Sequence, residues 1–188
     1  MATIAADEEL LVSAAKARNA DAWARLYDLY YLTLYRYAFA RTRNREDAED
    51  IASQVFVEAL RSIDRYSYRG KPIIVWLYRI ARNLIIDGAR RRSTQERYAE
   101  SQRVLSGTES GANLFESVEL LDAISRLTAD QREVIILRFI MAFSARETAL
   151  ALGKRDAAVF SLQVRGVNAL RRMFGSSPAL DLRTAATE

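Results

Sequence analysis

The residues best suited to chemistry lie between Arg65 and Arg92, where cations alternate with aromatic side chains. This stretch holds eight basic residues and a single acid, Asp87. The aromatic residues set among them are Tyr66, Tyr68, Trp76 and Tyr78. Cations attract phosphates and flat side chains stack on unpaired bases, so the pattern favours a surface for a nucleic-acid strand. The plainer alternative is a solvated helix with a charged rim.

From Ile73 onward this stretch has the periodicity of a helix with two different faces. At about 100° per residue, an apolar arc that would pack on a core contains Ile74, Leu77, Ile80, Ala81, Leu84 and Ile85. The opposite arc contains Trp76, Arg79, Asn83, Asp87 and Arg90. A core requires only the first arc, so the second is available for binding.

A second candidate site spans residues 144–172, which are predicted to form a helix, a turn at Gly153 and another helix. The apolar positions that would hold the two helices together are Ala149, Leu152, Val159, Leu162 and Leu170. This is the pattern of a helix-turn-helix, whose second helix enters the DNA major groove. The candidate contacts are Lys154, Arg155, Ser161, Gln163, Arg165, Arg171 and Arg172. Because helical hairpins also occur in proteins that bind no DNA, the basic bias of this segment carries much of the prediction.

A third pattern lies in a helix predicted over residues 45–61, with Asn44 as its N-cap. Its apolar arc contains Ala48, Ile51, Ala52, Val55, Phe56 and Ala59. The other side carries an exposed stripe of Asp47, Asp50, Gln54 and Glu58. Acids near a helix N-terminus are explained in part by the helix dipole. A stripe that continues over three turns also suits a partner surface rich in arginine.

The amino-acid composition argues against most kinds of enzyme catalysis. The 188 residues include no cysteine and no histidine, which argues against disulfides, thiol nucleophiles, imidazole catalysis and most zinc sites. No glycine-rich phosphate loop or convergent acid–base pair is visible in the sequence. We therefore expect a protein that is not an enzyme and uses neither a metal nor another cofactor.

The same totals predict an all-α protein made of two small helical domains. Half of the residues are apolar, and only seven are glycine and two are proline. The domains are predicted at 7–92 and 117–174, with a flexible linker at 93–116 and a disordered tail at 175–188. The acidic N-terminus lacks the pattern of a signal peptide, and no apolar run approaches the roughly 20 residues of a membrane helix. These features predict a soluble cytoplasmic protein.

Several segments resemble the bacterial sigma-70 family. Those similar to region 2 are AWARLYDLYYLTLYRYA, DAEDIASQVFVEAL and PIIVWLYRIARNLIIDGARRR. Those similar to region 4 are LLDAISRLTADQREVIILRF, SARETALALG and the last helix. Two regions alone, at this length, resemble the extracytoplasmic-function (ECF) subgroup. The resemblance implies an initiation factor that binds core RNA polymerase, directs it to promoters and helps melt them.

The resemblance also implies roles for individual residues. Docking on the clamp helices of the largest polymerase subunit would involve Asp47, Glu49, Asp50, Gln54 and Glu58. Reading of the −10 element and holding of its non-template strand would involve Tyr66, Tyr68, Arg69, Lys71, Trp76, Arg79, Arg82, Asn83 and Arg90. Reading of the −35 duplex would involve Lys154, Arg155, Ser161, Gln163, Arg165 and Arg171. The linker would thread the active-site and RNA-exit region, the polymerase flap would be a further contact, and an anti-sigma factor is the expected regulator.

The last helix departs from the family pattern at two positions. Phe160 and Leu162 stand where basic residues are usual, so fewer phosphate contacts are expected there. Gly166 within the same helix should cost about 1 kcal/mol relative to alanine.

Two other functions remain open at this stage. A stand-alone helix-turn-helix regulator would explain residues 144–172 but would leave the Arg65–Arg92 face without a role, and it would usually be a dimer. A helical scaffold without DNA function would require both patterned faces to be accidental.

Overall fold

The computed structural model describes residues 2–67, 71–96 and 118–174, with side chains described for 7–67, 71–90 and 118–174. The chain divides into two compact units, residues 1–109 and 110–188. The regular elements in the described ranges are helical, which confirms the predicted all-α class. The predicted tail, most of the predicted linker, Tyr68 and Arg69 lie outside the described residues.

In residues 2–67 and 71–96, the first unit contains four α-helices and a short 3-10 turn. The helices are α1 (Ala2–Lys16), α2 (Ala20–Thr42), α3 (Arg45–Ser62) and α4 (Ile73–Glu96), and the 3-10 turn is Ile63–Arg65. Asn44 is the N-cap of α3, as predicted, because its side-chain oxygen accepts the Asp47 amide at 2.9 Å. Asn19 caps α2 in the same way through the Ala22 amide at 2.8 Å.

The core of the first unit lies between α2, α3 and α4. Tyr37 of α2 and Tyr78 of α4 are both fully buried, and their rings meet edge to face with centroids 5.1 Å apart. Tyr78, one of the aromatic residues set among the cations of the Arg65–Arg92 stretch, is therefore a core residue. Helix α1 joins this core through Trp23, whose indole Nε1 donates to the Ala15 carbonyl at 3.0 Å.

The second unit contains α5 (Val118–Ser125), α6 (Ala129–Ile135), a π-helical turn (Ile136–Ile140), α7 (Ala145–Leu152) and α8 (Asp156–Phe174). Two capping boxes are present, Thr128 with Gln131 and Ser144 with Glu147, and both have the Ser/Thr-x-x-Glu/Gln spacing that the sequence shows. Gly153 ends α7 in the left-handed conformation, with φ of 65°. Helices α6 and α7 pack against α8 around a shared core that contains Val134, Ala149, Val159 and Leu162.

Gly166 allows α8 to lie close to α6. A Cβ atom at this position would stand 2.9 Å from Cγ1 and 3.1 Å from Cδ1 of Ile135. Ile135 is 2% exposed, so its side chain has little space into which to move. The close contact between α6 and α8 therefore requires glycine at this position, despite the conformational cost of a glycine within a helix.

We expect Gly166→Ala to destabilise the second unit. Overpacking of a filled core costs about 1–3 kcal/mol, whereas alanine recovers only about 0.5–1 kcal/mol of helix propensity. Urea or thermal denaturation should therefore show a net loss of about 1 kcal/mol. Asn168→Ala, at an exposed position of the same helix, is the matched control and should cause no such loss.

Combining Gly166→Ala with Ile135→Val should cost less than the two single changes added together, because the smaller side chain leaves room for the new methyl group. Stability equal to wild type in Gly166→Ala alone would show that the contact between α6 and α8 does not require glycine.

Candidate nucleic-acid interfaces

Helix α4 presents one apolar and one basic side, as its periodicity predicts. Its buried residues include Ile74, Leu77, Ala81 and Ile85. Its exposed residues include Arg79, Arg82, Asn83, Asp87 and Arg90. The closest approach between Arg90 Nη1 and Asp87 Oδ1 is 3.9 Å at a well-exposed position, so this pair does little to neutralise the basic side. The outer face of α4 therefore offers cations and an amide to a ligand.

Trp76 lies half-buried at the start of this face, next to Tyr66. The centroids of the two rings are 5.1 Å apart, and the ring planes are inclined by 39°. Tyr66 itself is 5% exposed, and its hydroxyl donates to the Lys71 carbonyl at 2.8 Å. The prediction that Tyr66 contacts DNA is therefore corrected: its ring is buried and its hydroxyl is already bonded. Tyr66 instead packs against the ring of Trp76 and, through its bond to Lys71, stabilises the segment before α4.

Helix α1 and the turn that follows it hold both ends of the segment between the 3-10 turn and α4. Glu8 Oε1 accepts the backbone amide of Ile73, the first residue of α4, at 2.6 Å. Arg18 Nη2 lies 2.8 Å from Asp64 Oδ2, and Arg18 Nη1 donates to the Leu60 carbonyl. These contacts place Lys71, which is exposed, between two anchored points.

Sequence reasoning missed Glu8 and Arg18, although one signal was available. The first amides of a helix need acceptors, and the residues before Ile73 are Lys71 and Pro72, which have no side chain suited to capping. The missing local cap indicates that these amides bond either to water or to an acceptor from elsewhere in the chain. Which residue supplies it depends on packing between segments that are 65 residues apart.

The acidic stripe on α3 is less uniform in the structure than in the sequence. Gln54 Nε2 donates to Glu58 Oε1 at 3.0 Å, and Arg61 Nη1 donates to the same oxygen at 2.9 Å. Glu49 pairs with Arg45 at 3.2 Å and lies about 100° around the helix from Asp50. Asp50 is exposed, and its side chain has no hydrogen bond or ion pair among the described residues. Asp50 therefore offers an exposed negative charge that no internal partner in the described residues neutralises.

Most, but not all, of the predicted −35 residues are exposed, either on α8 or just before it. Arg155, Ser161, Arg165 and Arg171 are exposed. Lys154 is partly covered and pairs with Asp130 of α6 at 2.9 Å. Gln163 is half-buried, and its Oε1 accepts from Arg138 Nε at 2.9 Å. The predicted base contact of Gln163 would therefore have to replace this bond to Arg138 or use the side-chain amide nitrogen instead.

The two departures from the family pattern have different outcomes. Leu162 is 9% exposed and belongs to the core shared by α6, α7 and α8. Phe160 is 51% exposed, and Val164, one turn later, is 57% exposed. Leu162 therefore packs inward, whereas Phe160 lies on the outer face beside Ser161.

These faces and folds define a helical nucleic-acid-binding protein with a helix-turn-helix in its second unit. Residues 26–95 match the family described as Sigma-70 region 2, and residues 117–170 match the family described as Sigma-70, region 4. Helix α1, with Glu8, precedes the first matched range.

The chain is also similar in sequence to bacterial sigma factors. The chain is 33% identical over 159 residues to the ECF RNA polymerase sigma factor SigX of Bacillus subtilis, covering 78% of this chain and 80% of SigX. It is 30% identical over 166 residues to SigL of Mycobacterium tuberculosis, covering 85% and 93%. It is 39% identical over 169 residues to BldN of Streptomyces coelicolor, covering 87% of this chain and 64% of BldN. The chain thus spans less than two thirds of the length of BldN.

The chain belongs to the ECF RNA polymerase sigma factors. The predicted resemblance is confirmed, and so is the expectation that the protein is not an enzyme, because sigma factors are non-enzymatic initiation factors.

Two solved structures share the fold. CnrH, in complex with the cytosolic domain of CnrY, aligns with a TM-score of 0.67 at 22% identity, covering 89% of this chain and 96% of CnrH. RpoE of Bartonella quintana, in complex with the anti-sigma factor NepR, also aligns with a TM-score of 0.67 at 22% identity, covering 80% and 95%. In residues 2–67, 71–96 and 118–174, no helix is both long and apolar enough to cross a membrane.

We expect Glu8→Ala to loosen the start of α4. Removing a capping acceptor costs about 0.5–2 kcal/mol, and the Ile73 amide would lose the bond that protects it. Hydrogen exchange of a peptide covering residues 71–79 should therefore accelerate. Glu9→Ala removes an exposed acid next to Glu8 and is the control. Equal exchange in the two variants would contradict the capping role.

Proposed function

We propose that this sigma factor binds core RNA polymerase, directs it to specific promoters and promotes melting of the promoter DNA. The observation that carries the proposal is the presence in one chain of two different DNA-directed faces. The α4 face combines cations with a half-buried tryptophan, which suits a single strand. The α8 face belongs to a helix-turn-helix, which suits a duplex groove. A protein that requires both acts where duplex DNA is being opened.

The α4 face is proposed to hold the non-template strand of the −10 element. Arg79, Arg82 and Arg90 are exposed for contacts with phosphates, and Asn83 offers hydrogen bonds to a base edge. Trp76 offers a ring that Tyr66 supports from its inner side. Tyr68, Arg69 and Lys71 are proposed as further contacts with the strand. Contacts with an unpaired base offset the cost of unstacking it, so binding energy rather than nucleotide hydrolysis would open the duplex.

The α8 face is proposed to read the −35 element as duplex DNA. Helix α8 is the second helix of the helix-turn-helix. The N-terminal half of such a helix normally enters the major groove. Arg165 is suited to a bidentate bond with guanine, and Ser161 is suited to a shorter contact with a base or phosphate. Arg155, Lys154 and Arg171 supply positive charge for the DNA backbone.

The acidic stripe of α3 is proposed to dock on the clamp helices of the largest polymerase subunit. Asp50 is the strongest candidate, since it is exposed and its charge is not neutralised within the described part of the chain. Glu49 and Glu58 would have to exchange their internal partners for those of the polymerase. The polymerase flap is proposed as a further contact.

An anti-sigma factor is proposed as the regulator of this protein. The structural relatives RpoE and CnrH were each solved with a partner bound, NepR and the cytosolic domain of CnrY. Because core polymerase and promoter DNA are both in the bacterial cytoplasm, we also propose that the protein acts there.

Run-off transcription tests the proposed function. Core RNA polymerase from the source organism would be incubated with fragmented genomic DNA, with and without the protein. Discrete transcripts that require the protein are expected. If the protein does not bind core polymerase but still binds DNA, it is a stand-alone helix-turn-helix regulator instead.

We expect Asp50→Arg to weaken binding to core polymerase at least tenfold, because a buried interfacial charge would be reversed. Affinity should be measured by fluorescence anisotropy with labelled protein. Glu9→Arg makes the same charge change at an exposed position on α1 and should bind normally. Retained affinity in Asp50→Arg, with an unchanged circular dichroism spectrum, would remove Asp50 from the interface.

We expect Trp76→Ala to weaken promoter melting more than core binding, because stacking of a base on an aromatic ring contributes about 1–3 kcal/mol. Permanganate footprinting of unpaired thymines would measure melting. A template with a mismatched bubble at the −10 element should recover most of the lost transcription. Trp76→Phe, which keeps a ring beside Tyr66, should retain part of the melting activity. If Trp76→Ala melts DNA as well as wild type, this face does not hold the strand through Trp76.

A further inference from the structure

The outer face of α8 carries large apolar side chains that the fold does not use. Phe160 is 51% exposed and Val164 is 57% exposed. They are separated by four residues, so they are neighbours on the helix surface. The apolar residues that pack α8 into its unit are Val159, Leu162, Val167 and Leu170. Phe160 lies at the edge of this buried side, about 20° around the helix from Val167, yet half of its surface remains exposed. Phe160 and Val164 are therefore available for an external ligand.

Their position limits which ligand fits. Both residues lie within the first nine positions of α8, the half that enters the major groove in a helix-turn-helix. On a helical projection, Ala157 lies between them and Ser161, and Arg165 follows Ser161 around the same exposed side. Polar and cationic groups thus border an apolar strip. An apolar strip beside groups for bases and phosphates matches a DNA groove better than it matches an apolar protein surface.

The major groove contains one apolar group on its base edges, the 5-methyl group of thymine. A phenylalanine ring or a valine side chain contacts this group favourably, because the contact removes apolar surface of both partners from water. A basic residue at position 160 would contact phosphate instead. Phe160 therefore offers a different type of contact, one with an apolar group of a base.

We propose that Phe160, supported by Val164, is a specificity-determining residue that packs on a thymine methyl group in the −35 element. The proposal rests on the proposed function of α8 as the −35 reader. It implies that promoters of this sigma factor contain a thymine, on one strand or the other, at the position facing Phe160. Position 160 then contributes sequence preference rather than nonspecific attraction to the DNA backbone.

Replacement of thymine by deoxyuridine tests this directly, because it removes the methyl group and leaves base pairing unchanged. Holoenzyme made with the full chain would be bound to a promoter found by run-off transcription. Each thymine of the −35 element would be replaced in turn. One replacement should weaken binding about fourfold, the change that corresponds to about 0.8 kcal/mol for one buried carbon group.

Variants of Phe160 assign the effect to this side chain. Phe160→Ala should bind the thymine and deoxyuridine promoters equally, whereas Phe160→Leu should keep part of the difference. Phe160→Arg should also lose the difference, and its binding should depend more steeply on salt because one phosphate contact is added. Met173→Ala is the matched control: Met173 is 44% exposed near the other end of α8, and its loss should leave the fourfold preference intact.

The outcomes separate this inference from the function on which it rests. Promoter-specific binding that is insensitive to every thymine replacement would overturn the role of Phe160 and leave the −35 reading by α8 in place. Loss of core polymerase binding in Phe160→Ala would overturn it as well, by showing that the strip contacts protein. If the holoenzyme shows no dependence on the −35 element at all, the proposed function of α8 fails together with the inference.

Discussion

The first unit depends on the packing of α4 against α2 and α3. Tyr78 and Tyr37 meet edge to face in the interior, and Leu77 and Ala81 fill the space beside them. A buried aromatic pair at 5.1 Å fits only a narrow range of helix rotations. Rotating α4 by one residue position would move arginines toward the core, where unpaired charge is strongly disfavoured. The direction of its basic face is therefore a consequence of how its apolar face packs.

The same relation between core and surface holds in the second unit. Gly166 brings α8 close to Ile135, and Gly153 turns the chain so that α7 and α8 pack around Ala149 and Val159. Once Leu162 is inside this core, Phe160, Ser161 and Val164 must face outward, because side chains follow the 3.6-residue period. The composition of the exposed face of α8 is thus decided by which residues its core requires.

Internal hydrogen bonds reduce the set of side chains that are ready to meet a partner. Tyr66 is bonded to Lys71, Gln163 to Arg138, and Glu58 to Gln54 and Arg61. A partner would have to compete with these bonds, whereas Asp50 is exposed without an internal partner among the described residues. Arg165 is also exposed, and its Nε donates to the Ser161 carbonyl at 3.2 Å. With a net charge of only +4, the placement of individual exposed charges matters more than the total.

The sequence alone determined the class of fold, the extents of α7 and α8, the two capping boxes and the basic side of α4. These features depend on residues close together in the chain, because capping and amphipathic periodicity act over a few positions. The tertiary structure decided which candidate side chains are buried or bonded. Gln163 meets Arg138 across 25 residues, and Glu8 meets the start of α4 across 65. No local pattern encodes such pairs, since they exist only once the helices have packed.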